Sequence, residues 1–311
     1  MTLALVFPGQ GSQSVGMLAE LAGEFAQVEQ TFAEASEALG YDLWRLIQDG
    51  PDSELQLTAV TQPAMLSAGV AVWRVWQAAG GPTPALMAGH SLGEYSALVC
   101  AGALPFEQAV RLVRQRGEYM QQAVPVGSGA MAAVLGLDRA AVEAACATAA
   151  RPGETVAVAN YNAPLQSVIA GHAAAVARAS AAAQSAGAKR VVPLPVSAPF
   201  HCSLMRPAAD ALAPALEAAS IRSPEVPVIN NVDVTAASEP AAIRDALIRQ
   251  IYSPVRWVEV IEAMHARGVT HVVECGPGKV LAGLSKRICG ALESLAVQDP
   301  ASLRQTLAAL G

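Results

Sequence analysis

The stretch Ala88 to Leu98, AGHSLGEYSAL, constrains this chain more than any other. It contains Gly89-His90-Ser91-Leu92-Gly93, a match to G-x-S-x-G, the pattern that sets a serine on a strained turn from a strand into a helix. Apolar residues 85–88 read as the end of a buried strand, and the amphipathic run 94–103 reads as the helix that leaves the turn. Glycines at 89 and 93 remove Cβ atoms where strand and helix must approach closely. The helix N-terminus aims backbone N–H groups at the serine, which suits a developing oxyanion.

Around this turn, strands alternate with helices. Residues 3–7 form a short apolar run that stops at Pro8-Gly9, a buried strand feeding a loop. Helical periodicity covers 25–39, 63–79 and 106–123. The alternation predicts an α/β layer with a largely parallel sheet. The character changes after Gly127. Strand 130–135, helix 138–150 with Asp138 as its cap, strands 155–160 and 166–170, helix 173–186 and strand 189–194 give the order β-α-β-β-α-β. That order is ferredoxin-like. It predicts a small subdomain over 127–195 inserted into a large one made of 1–126 and 196–311. The α/β pattern then resumes with helix 208–219, strand 226–231, helices 241–252 and 258–268, strand 271–274 and helix 281–288.

Composition narrows the function classes. Hydrophobic residues make 53% of the 311 and charged residues 15%, which suits an ordered chain with a large core. The net charge is −6 with no long run of either sign, so nothing points to nucleic acid. The N-terminus lacks the cationic start and long apolar run of a signal peptide. No unbroken apolar stretch reaches the roughly 20 residues of a membrane span. The five cysteines are odd in number and contain no C-x-x-C, which reads as free, buried thiols in a reducing cytoplasm. No cysteine–histidine spacing reads as a metal site.

A serine hydroxyl needs a base within hydrogen-bond reach. His90 adjoins Ser91 on the extended side of the turn, so its side chain should point to the other face. His265 reads as solvated, while His172 and His271 fall at strand ends. His201 lies in the irregular segment SAPFHC, where catalytic side chains concentrate. A triad in the order serine, carboxylate, histidine needs an acid between 91 and 201. The one aspartate there, Asp138, reads as a helix cap, and the glutamates fall mainly on helices. A Ser–His pair oriented by something else, such as a backbone carbonyl on Nδ1–H, fits better. The Gly-rich loop FPGQGSQ at 7–13 offers backbone N–H groups for an oxyanion and lacks the lysine of a phosphate loop. Arg116 shares a helix with Arg111 and Arg114. Such arginines usually form a solvated face, and one turned inward is a carboxylate receptor.

Taken together, these segments resemble the malonyl-CoA:acyl-carrier-protein transacylase family. FPGQGSQ, TQPA, GHSLGEY, RLVRQRGEYMQ, NYNAPLQSVIAG, PFHCSLM, INNVD, QIYSPVRW and ECGPGKVL occur in family order over nearly the whole chain. The resemblance implies an α/β-hydrolase-like large subdomain, a ferredoxin-like small one and an active site in the cleft between them. It matches Ser91 to the nucleophile and His201 to its base. Gln250 matches the residue whose main-chain carbonyl holds the histidine, and Arg116 the arginine that pairs with the malonyl carboxylate. The backbone N–H groups of Gln10 and Leu92 match the oxyanion hole. Leu92 and Phe200 resemble the pattern that selects malonyl over methylmalonyl groups. The implied reaction is ping-pong transfer from malonyl-CoA to the phosphopantetheine thiol of acyl carrier protein for fatty-acid synthesis. Both are substrates, and no cofactor or metal is implied. A transacylase of a polyketide or malonate-decarboxylase pathway and a serine thioesterase are the alternatives. Carrier proteins are typically acidic, so Lys189, Arg190, Lys279, Lys286 and Arg287 are candidates for a docking patch by residue type.

Overall fold

Strand β1 (Leu3–Phe7) is buried at every position, so both of its faces must be covered. Alternate side chains divide accordingly. Leu3, Leu5 and Phe7 enter the larger hydrophobic core, while Ala4 and Val6 enter a second core on the opposite face. A computed structural model describes residues 1–311. In it β1 runs parallel to β2 (Leu86–Gly89) on one side and to β8 (His271–Cys275) on the other. The short β7 (Val228–Ile229) extends the sheet beyond β2, and β9 (Glu293–Val297) extends it beyond β8, both parallel. The order is β7-β2-β1-β8-β9. The loops that follow β1, β2, β7 and β8 therefore leave from one edge, the carboxyl ends of the strands, where open parallel sheets place their ligands.

The second sheet is antiparallel throughout. It contains β3 (Gly129–Leu135), β4 (Val156–Ala163), β5 (Gln166–His172) and β6 (Arg190–Pro193) in the order β4-β5-β3-β6. Counted within this unit the order is 2-3-1-4, the ferredoxin-like arrangement. Asp138 caps the Arg139–Ala149 helix by accepting the Ala141 N–H. That helix and Ala173–Ser185 cover one face, packing Val142, Cys146, Val176 and Ala179 against Val134, Val158 and Ile169. The other face turns Met131, Ala159, Val168 and Ala170 toward the larger core, which creates the cleft. Two backbone bonds stitch β4 to the large sheet's side: Tyr161 N–H to the Val255 carbonyl at 2.9 Å, and Val255 N–H to the Ala159 carbonyl at 2.8 Å.

Several boundaries differ from the sequence pattern. The helix expected from 63 begins at Thr58 and runs to Ala78, with Pro63 inside it. The proline forfeits one backbone bond, and the helix is so thoroughly buried that packing outweighs the loss. The elbow helix spans Gly93–Cys100, shorter than the run to 103. The strand expected over 226–231 is cut to two residues, because Asn230 leaves the ladder to accept the Val232 and Asp233 N–H groups. Helices Ala19–Glu24, Leu43–Asp49, Asp52–Leu55 and Pro300–Leu310, and strand β9, lie outside the elements expected from sequence. All five cysteines are free; Cys146, Cys202 and Cys275 are buried, and Cys100 and Cys289 are half-buried.

Candidate active site

Ser91 follows β2 with φ 51°, in the left-handed region that costs a non-glycine residue energy. Both neighbouring glycines are required by contact. A Cβ on Gly89 would run into the Gly93 carbonyl carbon, and one on Gly93 into the Phe7 carbonyl oxygen. The strained residue is held at both backbone groups by distant side chains. Asn231 Oδ1 accepts the Ser91 N–H at 2.7 Å, and Gln250 Nε2 donates to the Ser91 carbonyl at 3.0 Å. Asn231 Nδ2 also donates to the Gly89 carbonyl at 2.8 Å.

Held this way, Ser91 Oγ lies 2.6 Å from His201 Nε2. His201 itself has φ 58° and is buried. Its Nδ1 lies 2.9 Å from the main-chain carbonyl of Gln250. A carbonyl only accepts, so Nδ1 carries the proton and Nε2 offers its lone pair to the serine O–H. Burial, and after it the charge of Arg116, hold the His201 imidazole down at about 3, opposed by the Gln250 carbonyl. The histidine is therefore a neutral base at physiological pH.

Arg116 turns inward from the Phe106–Gln122 helix and is 2% exposed. Its helix neighbours Arg111 and Arg114 pair with Glu107 and Glu118 at the surface. Nη1 of Arg116 donates to Gln62 Oε1 at 2.9 Å, and Nη2 donates to Ser91 Oγ at 3.1 Å and to Gln250 Oε1 at 3.0 Å. All three acceptors are neutral. A cavity of about 490 Å³ opens over these groups, bounded by Gln10, Leu92, Met131 and Phe200. The N–H groups of Gln10 and Leu92 donate to no acceptor within the chain. The structure thus brings Ser91, His201, Gln250, Arg116, Gln10, Leu92 and Phe200 to one place. His90 points into the join between the sheets, with Nε2 2.9 Å from Asn162 Oδ1 and its ring tilted against Trp257. Lys189, Arg190, Lys279, Lys286 and Arg287 are all exposed.

Sequence reasoning passed over Asn231, Gln62 and Glu94. Glu94 was counted among the helical glutamates, yet it is 2% exposed and accepts from the Asn231 N–H and from Gln250 Nε2. Burial raises its carboxyl to about 7. A signal existed for it: a glutamate on an otherwise apolar helix face directly after the elbow.

Comparison with known proteins extends this geometry. A sequence model of the acyl transferase domain matches residues 4–294. The malonyl CoA-acyl carrier protein transacylase of Salmonella typhimurium is 60% identical over 304 residues, covering 98% of each chain. An acyl carrier protein S-malonyltransferase from Vibrio cholerae superposes with a TM-score of 0.96 at 60% identity, over 98% of this chain and 100% of that one. A malonyl-transacylase solved in complex with a type II polyketide-synthase acyl carrier protein superposes at 0.98 with 56% identity, over 99% and 100%.

Proposed function

The chain belongs to the malonyl-CoA–acyl carrier protein transacylase family, and we propose that it moves malonyl groups from malonyl-CoA to the phosphopantetheine thiol of an acyl carrier protein through an ester on Ser91, supplying the extender unit for fatty-acid synthesis. Ser91 is the nucleophile. As Oγ bonds to the thioester carbonyl carbon, its proton passes to His201 Nε2, and the Gln250 carbonyl steadies the resulting imidazolium through Nδ1–H. The oxyanion is received by the Gln10 and Leu92 N–H groups, each donor being worth about 2.7–4 kcal/mol in the transition state. The C–S bond then breaks, and the Nε2 proton goes to the CoA sulfur. In the second half the carrier thiol gives its proton to His201 as its sulfur attacks the ester. The C–O bond breaks and Ser91 Oγ regains a proton. These groups need no cofactor or metal; malonyl-CoA and the phosphopantetheinylated carrier are the two substrates.

One observation carries this reading: a buried guanidinium within hydrogen-bond reach of the nucleophile, with only neutral partners. A thioesterase has no use for it, whereas a malonyl group brings the missing carboxylate. Leu92 and Phe200 add bulk beside the site that disfavours an α-methyl branch. The carrier as partner is supported by the similar transacylase solved with one. No helix is long and apolar enough to cross a membrane, and unpaired thiols suit the reducing cytoplasm.

The test is intact-mass spectrometry after brief exposure to malonyl-CoA and then to phosphopantetheinylated carrier protein. One malonyl adduct, absent in Ser91→Ala and discharged onto the carrier, is expected. An adduct that drains to free malonate without loading the carrier makes the enzyme a thioesterase instead.

A further inference from the structure

Glu94 is a buried, titratable group that the reaction above does not use. It sits in the first turn of the elbow helix and takes no part in the wall of the cavity. Its Oε2 accepts the Asn231 N–H at 2.9 Å and Gln250 Nε2 at 2.8 Å. We infer that Glu94 is a positioning residue that sets malonyl selectivity by fixing the direction of the Gln250 side-chain amide and, through it, the aim of Arg116. This role rests on Arg116 receiving the malonyl carboxylate, as proposed above.

A glutamine amide has two ends of nearly the same shape and opposite chemistry. Here Oε1 faces Arg116 Nη2, while Nε2 reaches both the Ser91 carbonyl and the Glu94 carboxylate. Turned over, its NH₂ would meet a guanidinium that only donates, and its oxygen would meet two groups that accept. Glu94 supplies one of the two acceptors that hold the NH₂ end. Without it the amide keeps only the Ser91 carbonyl and tilts away from Arg116. Arg116 then loses the contact that shares Nη2 between Gln250 and Ser91 Oγ.

The interposed amide also explains why the carboxylate is not bonded to the arginine directly. A direct salt bridge would occupy the guanidinium face that the substrate carboxylate needs. An amide between them aims the arginine with a neutral acceptor, so the guanidinium charge still lacks a hydrogen-bonded carboxylate when substrate arrives. The tilt leaves the His201 contacts in place and disturbs the Arg116 bond to Ser91 Oγ for either donor alike, so the malonyl:acetyl ratio isolates what the carboxylate loses.

The experiment compares kcat/KM for Ser91 acylation by malonyl-CoA and by acetyl-CoA in the full chain. Glu94→Gln keeps an oxygen acceptor at the same reach, so the malonyl:acetyl ratio stays within about threefold of wild type. Glu94→Asp keeps the charge but withdraws the acceptor by about 1.5 Å, one C–C bond. Its ratio falls by about tenfold or more, malonyl losing more than acetyl, as expected for a lost charge-assisted bond. Gln250→Leu deletes the same amide together with its hold on the Ser91 carbonyl, so it slows both donors while the malonyl:acetyl ratio falls by a similar factor, and adding Glu94→Asp to it lowers the ratio no further. If Glu94→Asp does not fold, retention of the ratio in Glu94→Gln and its loss in Gln250→Leu decide the matter. A malonyl:acetyl ratio unchanged in both Glu94→Asp and Gln250→Leu overturns the role, as does a ratio kept by aspartate and lost by glutamine. A wild-type enzyme without malonyl preference overturns the carboxylate-receptor reading itself, and is recognised before any variant is compared.

Discussion

Replacing Arg116 with alanine separates what its guanidinium does for the substrate from what it does for the base. The side chain is 2% exposed and bonded to neutral acceptors only, and in the proposed reaction the malonyl carboxylate supplies the missing charge. Losing one partner of a buried ion pair costs about 3–5 kcal/mol. At 1.36 kcal/mol per factor of ten, that is roughly 10²- to 10⁴-fold in kcat/KM for malonyl-CoA. Acetyl-CoA forms no such pair and shares with malonyl-CoA only the loss of the Arg116 bond to Ser91 Oγ, so the malonyl:acetyl ratio should fall by roughly 10²-fold or more. A second effect has a different sign. The Arg116 charge is, after burial, the main influence keeping His201 unprotonated. Removing a neighbouring cation favours the imidazolium, raises the histidine pKa and moves the acid limb of the rate to higher pH. The assay is acyl-Ser91 formation from each donor, followed by intact mass across pH 4–8, a window that the wild-type acid limb lies below and that the variant's limb should enter. A ratio within about tenfold of wild type, together with an unmoved acid limb, would refute both roles.

Three further perturbations test the structure. Asn231→Ala strips partners from the Ser91 N–H and the Gly89 carbonyl and should cost roughly 2–5 kcal/mol in urea denaturation while slowing acylation; wild-type values of both would show that the elbow is held by something else. Glu274 is buried with Oε1 unpartnered, and burial raises its carboxyl to about 7. Between about pH 4.3 and 7 the folded state keeps a proton that the unfolded chain has released, so stability falls as pH rises through that window. Glu274→Gln should therefore stabilise the protein at pH 8 by on the order of 3 kcal/mol and do little at pH 4, whereas an equal gain at both would contradict the assignment. Reversing the exposed Lys286 and Arg287 to glutamate should raise the apparent KM for carrier protein and flatten its salt dependence. An unchanged salt dependence would make them ordinary solvated charges.

What the sequence disclosed follows from the range of the forces involved. The elbow is legible because Gly89 and Gly93 answer a local crowding that no other residue satisfies. The ferredoxin-like order is legible because its strands and helices keep their periods and Asp138 marks a cap. Strand β9 is hidden because its positions grade from exposed Glu293 to buried Val297 without the two-residue alternation that marks a strand. Within the site, Ser91 and His201 announce themselves by residue type. The Gln250 carbonyl does not, since every residue has one; only the resemblance pointed to it. Asn231 and Glu94 act on partners more than 130 residues away, and no local pattern encodes such a contact.

The same long reach imposes an order on the birth of the enzyme. The conformation of Ser91 is secured by Asn231 and Gln250, 140 and 159 positions further along the chain. A ribosome that has made the elbow, its strand and its helix has therefore made a serine but not yet a nucleophile. Until most of the polypeptide has emerged, the left-handed backbone has only the local Glu94 N–H on its carbonyl, at 3.1 Å. His201, which must face that serine, arrives in the same late portion and is braced by Gln250 in turn. The nucleophile and its base are thus completed only when folding joins the two halves of the sequence.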